Sequence, residues 1–216
     1  DPGAPDRDLK LETLAGVLRG DILVHIHCYR ADEMAIMLDV AREFDYKVTA
    51  FHHAVESYKI ADVLADAGAC SAMWADWWGF KMEAFDTIRE NIPFVDAAGA
   101  CAIVHSDSSV GIQRLNQEAA KAMAAGNRLG MNITAEHAIT WITRNAAQAL
   151  GIDEVTGTLE SGKAADVVLW DRDPFSVYAL AQQVFIDGAL VYDRNDESRQ
   201  PVSDFELGQT AQGGGL

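Results

Sequence analysis

The stretch Lys47-Val48-Thr49-Ala50-Phe51-His52-His53 decides how this chain is read. It is a short apolar run that ends in a metal-capable side chain, and the helix-like segment Ser57 to Ala67 follows it, with Gly68 as its stop. Two other stretches are built alike. Ile22-Leu23-Val24-His25-Ile26-His27 precedes the helix-like Ala31 to Phe44, where Met34, Met37, Leu38 and Ala41 fall on one face. Cys101-Ala102-Ile103-Val104-His105-Ser106-Asp107 precedes a predicted helix over Gln113 to Ala125. A parallel α/β barrel places its chemistry at the carboxyl ends of its strands. His27, His53 and Asp107 occupy equivalent places at such ends and read together as one site divided along the chain.

The pattern extends outward from these three runs. Ala69 to Trp74 is a weaker strand, Lys81 to Glu90 and Pro93 to Ala98 are read as helices, and Ala135 to Leu150 is a further helix closing at Gly151. A short helix over Leu11 to Arg19 leads into the first strand. Strand and helix thus alternate four times, the signature of parallel βα units. A complete eight-unit barrel needs roughly 250 residues, so four units imply a half barrel or an open sheet.

From Thr156 the texture changes to turns and short strands. Ala165 to Trp170, Val184 to Ile186 and Ala189 to Tyr192 are strands, the last two joined by the hairpin signal Asp187-Gly188. Three short strands make a poor independent module, so they are expected to complete a β-domain whose other strands lie elsewhere. The expected organisation is lead-in and helix over 1–20, half barrel over 21–151, sandwich strands over 152–195 and an irregular tail over 196–216.

Composition narrows the partners. The 216 residues, 49% hydrophobic, suffice for a sizeable core. Seventeen basic against 33 acidic side chains give a formal charge of −16, a field that repels phosphate backbones and argues against a nucleic-acid partner. No apolar run approaches the ~18 residues of a membrane span. Cys28, Cys70 and Cys101 lack framework spacing and read as buried free thiols, leaning slightly towards a cytoplasmic setting. The chain begins Asp1-Pro2-Gly3 without Met, as a piece of a longer protein would, so a periplasmic setting stays open.

Each candidate ligand also has a plainer reading. A lone His at a strand end is more often a hydrogen-bonded core or rim residue, and Asp107 would serve equally as a helix N-cap. Alternation places His25 and His27 on one side of their strand, and His52 opposite to His53. Recurrence in successive units favours a shared site, because neutral imidazole and carboxylate are the usual ligands of zinc and similar ions. The aromatic run Trp74-Ala75-Asp76-Trp77-Trp78-Gly79-Phe80 follows a strand end. Trp74 and Trp77 would wall a substrate pocket or pack at the rim, two readings held equal. Arg30 and Tyr58 are candidates for a substrate carboxylate, although Arg30 could instead pair with Asp32 or Glu33 at its helix start.

His27-Cys28-Tyr29-Arg30-Ala31-Asp32-Glu33, His53-Ala54-Val55-Glu56-Ser57-Tyr58 and His105-Ser106-Asp107 resemble the amidohydrolase superfamily, in its imidazolonepropionase and dipeptidase-like branch. So do Thr143 to Gly151 and the stretch Gly157-Thr158-Leu159-Glu160-Ser161-Gly162-Lys163-Ala164-Ala165-Asp166-Val167-Val168-Leu169-Trp170. The resemblance covers about residues 10 to 195. It implies the C-terminal half of a (β/α)8 TIM-type barrel, strands five to eight, plus part of a small β-sandwich shared with an N-terminal segment. It also implies a divalent metal, zinc favoured, as one or two ions. His27, His53 and Asp107 would be the metal ligands, with Asp107 as general base and His53 steadying the oxyanion. The implied activity is hydrolysis of an amide-type C–N bond in a small peptide, N-acyl amino acid or cyclic amide, with deamination or a non-catalytic half barrel as alternatives. The family's first-strand His-x-His pair and fourth-strand Lys or Glu do not occur in this chain. The expected partners are therefore a small-molecule substrate, the missing N-terminal half of the barrel and a second copy of the chain.

Overall fold

The computed structural model describes residue 3 and residues 6–201. Most of the predicted tail, 202–216, and residues 1, 2, 4 and 5 of the lead-in lie outside the described residues. The chain divides into two compact units, one comprising 1–163 with 175–177, the other 164–174 with 178–216.

In the first unit the elements run α1 (Leu9–Arg19), β1 (Val24–His27), α2 (Ala31–Glu43), β2 (Val48–His52), α3 (Ala61–Ala67), β3 (Cys70–Met73), α4 (Asn91–Ala97), β4 (Cys101–Val104), α5 (Leu115–Arg128), α6 (Ala135–Ala138) and α7 (Arg144–Ala149). Asp8 starts α1 by accepting from the amides of Lys10 and Leu11, at 2.9 and 3.2 Å. Gly68 ends α3 in the left-handed conformation (φ 62°), as its sequence position suggests. The strands form one parallel sheet in the order β1-β2-β3-β4, so each neighbour in space is the next in sequence.

Alternation gives that sheet two different faces. Phe51, Met73 and Val104 pack with Met34 and Leu38 of α2, Leu64 of α3, Ile92 and Val95 of α4, and Trp141, in the main core. Fully burying such side chains contributes about 1.5–3 kcal/mol each. On the other face Ala50, Cys70, Ala72 and Ile103 form a smaller cluster with Ala149. Along β1 this face carries His25, registered against Ala50, and His27, registered against His52. The small residues at Ala50 and Ala72 leave room for the imidazoles beside them.

Four expectations are corrected. Lys81 to Glu90 is not a helix: only Met82–Ala84 makes a 3-10 turn. Met82 and Phe85 are 83% and 67% exposed, so no apolar stripe offsets the cost of helix nucleation there. The helix expected over Ala135 to Leu150 is broken into α6, a 3-10 turn over Ile139–Ile142 and α7. The hydroxyls of Thr140 and Thr143 donate to the carbonyls of His137 and Ile139, at 2.6 and 2.9 Å, and compete with the helical ladder. Cys70 and Cys101 are not free thiols but a disulfide; parallel register sets them side by side, with Cα atoms 4.4 Å apart. Only Cys28 is free among the described residues, buried in the main core. His52, finally, does not turn away from His53.

The second unit holds β5 (Val167–Trp170), β6 (Ala181–Ile186) and β7 (Ala189–Asp193) in one antiparallel sheet, order β5-β6-β7. Its hairpin turns at Asp187 and Gly188, both at positive φ (49° and 78°), as the Asp-Gly pair foretells. Val168, Leu169, Ile186 and Val191 stay 42–56% exposed, so neither face of this sheet is closed within its own unit. Among the described residues no helix is long and apolar enough to cross a membrane.

Candidate functional site

The carboxyl ends of β1, β2 and β4 gather five imidazoles. His53 lies just past β2 with φ 60°, a left-handed conformation uncommon for a residue with a Cβ. Leaving the strand this way breaks the alternation, so His52 and His53 both reach the same cluster. Ring centroids lie 4.7 Å apart for His27 and His53, 5.0 Å for His53 and His105, and 5.7 Å for His27 and His52. Asp107 lies beyond β4, also at positive φ (48°), with Oδ2 3.9 Å from Nε2 of His53.

Two imidazole pairs are formed. His27 Nδ1 is 2.7 Å from His53 Nε2. His25 Nδ1 is 2.8 Å from His52 Nε2, and His25 Nε2 is 2.9 Å from the carbonyl of Ala149. That carbonyl only accepts, so His25 donates through Nε2, and a single proton per ring then has His52 donating through Nε2 to His25 Nδ1. Burial is the first cause that lowers the pKa of His52, to about 4, and of His105, to about 3, with neighbouring imidazoles adding to it. His53 is likewise lowered, first by burial, with Asp107 opposing and His27 and Lys81 assisting. Nδ1 of His53 and Nε2 of His105 are buried without a hydrogen-bond partner.

These side chains include the donors that a divalent ion would need. His53 is buried, while His27 and the Asp107 carboxylate face solvent, and neutral nitrogens with one carboxylate are the donors such ions prefer. Two nitrogens bound tetrahedrally to one zinc stand about 3.4 Å apart, so His27 and His53 would separate slightly to admit it. Among the described residues no three His, Cys, Asp or Glu side chains already form a metal-holding group. The donor set fits in kind and is partial in number.

Aromatic side chains wall one side. Trp74 continues β3, donates from Nε1 to the Ser106 carbonyl at 2.9 Å, and stacks on both His53 and His105. A cavity of about 460 Å³ is lined by Tyr29, Trp74, Asp76, Trp77, Phe80 and Asp107, among others. A concavity of about 510 Å³ bounded by Leu38, Tyr46 and Val63 holds none of these imidazoles. Trp74 and Trp77 both line the 460 Å³ cavity. Arg30 and Tyr58 do not line this cavity. The Arg30 guanidinium is held by Asp32 at 3.0 and 2.9 Å, and the Tyr58 hydroxyl donates to the Asp86 carbonyl at 2.9 Å.

Asn91 was missed from sequence. Fully buried at the start of α4, it donates to the carbonyls of Ala54 and Val55, at 3.0 and 3.1 Å, and accepts from the Tyr58 amide at 2.8 Å. It therefore pins the loop that leaves His53. An Asn before an apolar helix reads as a cap, and nothing local distinguishes the two roles.

The fold is thus a parallel α/β sheet with histidines and an aspartate gathered at its strand ends. The chain belongs to the amidohydrolase family, whose pattern matches residues 59–192. Amidohydrolase tasK of Hapsidospora irregularis is 32% identical over 191 residues, 86% of this chain and 19% of that protein. An imidazolonepropionase of Brucella suis is 32% identical over 154 residues, 70% of this chain and 36% of the relative. The crystal structure of an amidohydrolase from Thermotoga maritima superposes with a TM-score of 0.79 at 29% identity, covering 88% of this chain and 49% of that one. The chain therefore spans between about a fifth and a half of the length of these relatives. Family members are in general metal-dependent.

Proposed function

We propose that this chain carries the C-terminal half of a (β/α)8 barrel, β1 to β4 being its strands five to eight, and with it part of the active site of a metal-dependent hydrolase of amide-type C–N bonds. The substrate class is a small peptide, N-acyl amino acid or cyclic amide. The observation that carries this reading is the convergence of His27, His53 and Asp107 from three parallel strand ends onto one solvent-facing point beside an aromatic cavity. His27, His53 and Asp107 would hold a divalent ion, with zinc favoured. The chemistry such an ion supplies is polarisation of a carbonyl and a lowered pKa for water.

The chain's own residues do the rest. Asp107, exposed at the cavity, takes a proton from the attacking water and returns it to the leaving nitrogen, a role contributing about 10²–10⁴ in rate. His53, kept neutral by burial, steadies the developing oxyanion. Trp74, stacked on His53 and His105, holds those rings and shields them from bulk water.

The test uses the full-length protein: bound metal is measured, and dipeptides, N-acyl amino acids and cyclic amides are screened. Asp107→Asn should cost at least 100-fold in kcat; unchanged hydrolysis refutes the assignment. Aminated heterocycles belong in the same screen, since deamination differs only in the leaving nitrogen.

A second reading is supported by the open sheet. Among the described residues β1 and β4 each leave one edge unpaired, which favours association. On this reading the 216-residue chain acts with a partner, either the N-terminal half of the barrel or a second copy. The N-terminal half would also complete the β5–β7 sheet as a sandwich. Light scattering decides it: a stable monomer of 23.5 kDa would count against partner dependence.

A further inference from the structure

We propose that Lys81 is the carboxylate anchor of this site, selecting small amides that bear a free carboxylate on an apolar or aromatic body. The proposal rests on the amide-hydrolase reading only for where the scissile bond lies.

The two residues that sequence offers for this task are engaged elsewhere, Arg30 by Asp32 and Tyr58 by the Asp86 carbonyl. Lys81 is in a different state. Lys59, Lys121 and Lys163 each hold carboxylates, but the Lys81 ammonium has no carboxylate within ion-pair distance and no hydrogen-bond acceptor among the described residues. Lys10 and Lys47 likewise hold no carboxylate, so what distinguishes Lys81 is where it lies.

Its place is specific. Nζ lies 3.7 Å from the centroid of the Tyr29 ring and 5.8 Å from that of Phe80; both rings line the cavity, and Lys81 itself stands behind them. Tyr29 stacks on His53 with centroids 5.3 Å apart, so the ammonium is no farther from that imidazole than the sum of the two distances.

The acids facing the cavity complete the polarity. Asp76 is committed to Lys121 at 3.0 Å, which leaves Asp107 at the His53 end. The acid–base group Asp107 lines the cavity together with Trp74, Trp77 and Phe80, and the Lys81 ammonium lies against its Tyr29 wall. A substrate carboxylate meeting Lys81 breaks no existing ion pair and gains a charge-assisted hydrogen bond. Cation–π contact keeps the ammonium over the Tyr29 ring until it arrives.

The test is calorimetric binding of N-acetylphenylalanine and of its neutral amide to the full-length protein. Wild type should prefer the acid by on the order of tenfold, as one charge-assisted contact at a half-exposed site gives. Lys81→Gln should bind acid and amide equally, with the amide's affinity within about twofold of wild type, while Lys81→Arg should keep most of the preference. A preference that survives Lys81→Gln, or is absent from wild type, overturns the proposal. A protein that prefers the acid yet hydrolyses no amide keeps the anchor and removes the hydrolase reading; one that hydrolyses neutral amides without acid preference does the reverse.

Discussion

Replacing Asn91 should loosen the site from a distance. The side chain is 1% exposed and bonds three backbone groups of the loop that follows His53. In Asn91→Ala the carbonyl of Ala54 keeps a partner, because the Ser57 amide also donates to it at 3.1 Å. The Val55 carbonyl and the Tyr58 amide keep none that the structure shows. Two backbone groups left unpaired cost about 1–3 kcal/mol each, so the loss is about 2–6 kcal/mol. At this size that corresponds to roughly 4–24 °C in Tm. Asn91→Asp keeps the shape and the acceptor for Tyr58 but sets a carboxylate against two carbonyls, so at pH 7 it should lose at least as much. Urea and thermal unfolding followed by circular dichroism measure both variants. A loss below about 0.5 kcal/mol in Asn91→Ala would mean the loop is held by something else, and the positioning argument fails.

The remaining expectations concern proton chemistry. Burial, then the charge of Glu33, raises the Cys28 thiol to about 11, so at pH 8 only about one thiol in a thousand is ionised. Iodoacetamide should label the folded chain at Cys28 at least 100-fold slower than free cysteine, and a rate near that of free cysteine would contradict the buried environment. His105 is held neutral down to about pH 3, below its ordinary 6.5. The unfolded chain therefore takes up this proton first as pH falls. The stability is fully present above pH 6.5 and is lost between there and about pH 3, at up to about 1.4 kcal/mol per pH unit. The urea midpoint of wild type should fall more steeply than that of His105→Phe between pH 6.5 and 5; equal slopes would place His105 in solvent.

Much of the architecture was legible because it depends on short-range patterns. The apolar stripe Met34, Leu38 and Ala41 announces α2, Gly68 announces the end of α3, and Asp187-Gly188 announces the hairpin, each through a local backbone or packing preference. Recurrence of strand-end His and Asp exposed the candidate site for the same reason, since parallel βα units repeat a placement along the chain. Lys81 to Glu90 misled because its composition suits a helix while its large apolar side chains, Met82 and Phe85, stay exposed. Thr140 and Thr143 divided a helix that periodicity alone would continue.

What the sequence determined by itself is therefore the alternation of strand and helix, the amidohydrolase resemblance and the positions of His27, His53 and Asp107 at strand ends. Tertiary structure alone decided which side chains meet. The Cys70–Cys101 bridge exists because parallel register abuts residues 31 apart in the chain. His53 joins His27 on the side of His52 because it leaves the strand at positive φ. Arg30 is spent on Asp32, Lys81 lies over Tyr29, and Asn91 grips a loop that precedes it by more than 30 residues. These are contacts between segments distant in sequence, and their geometry is set by how strands and helices pack, which no local pattern encodes.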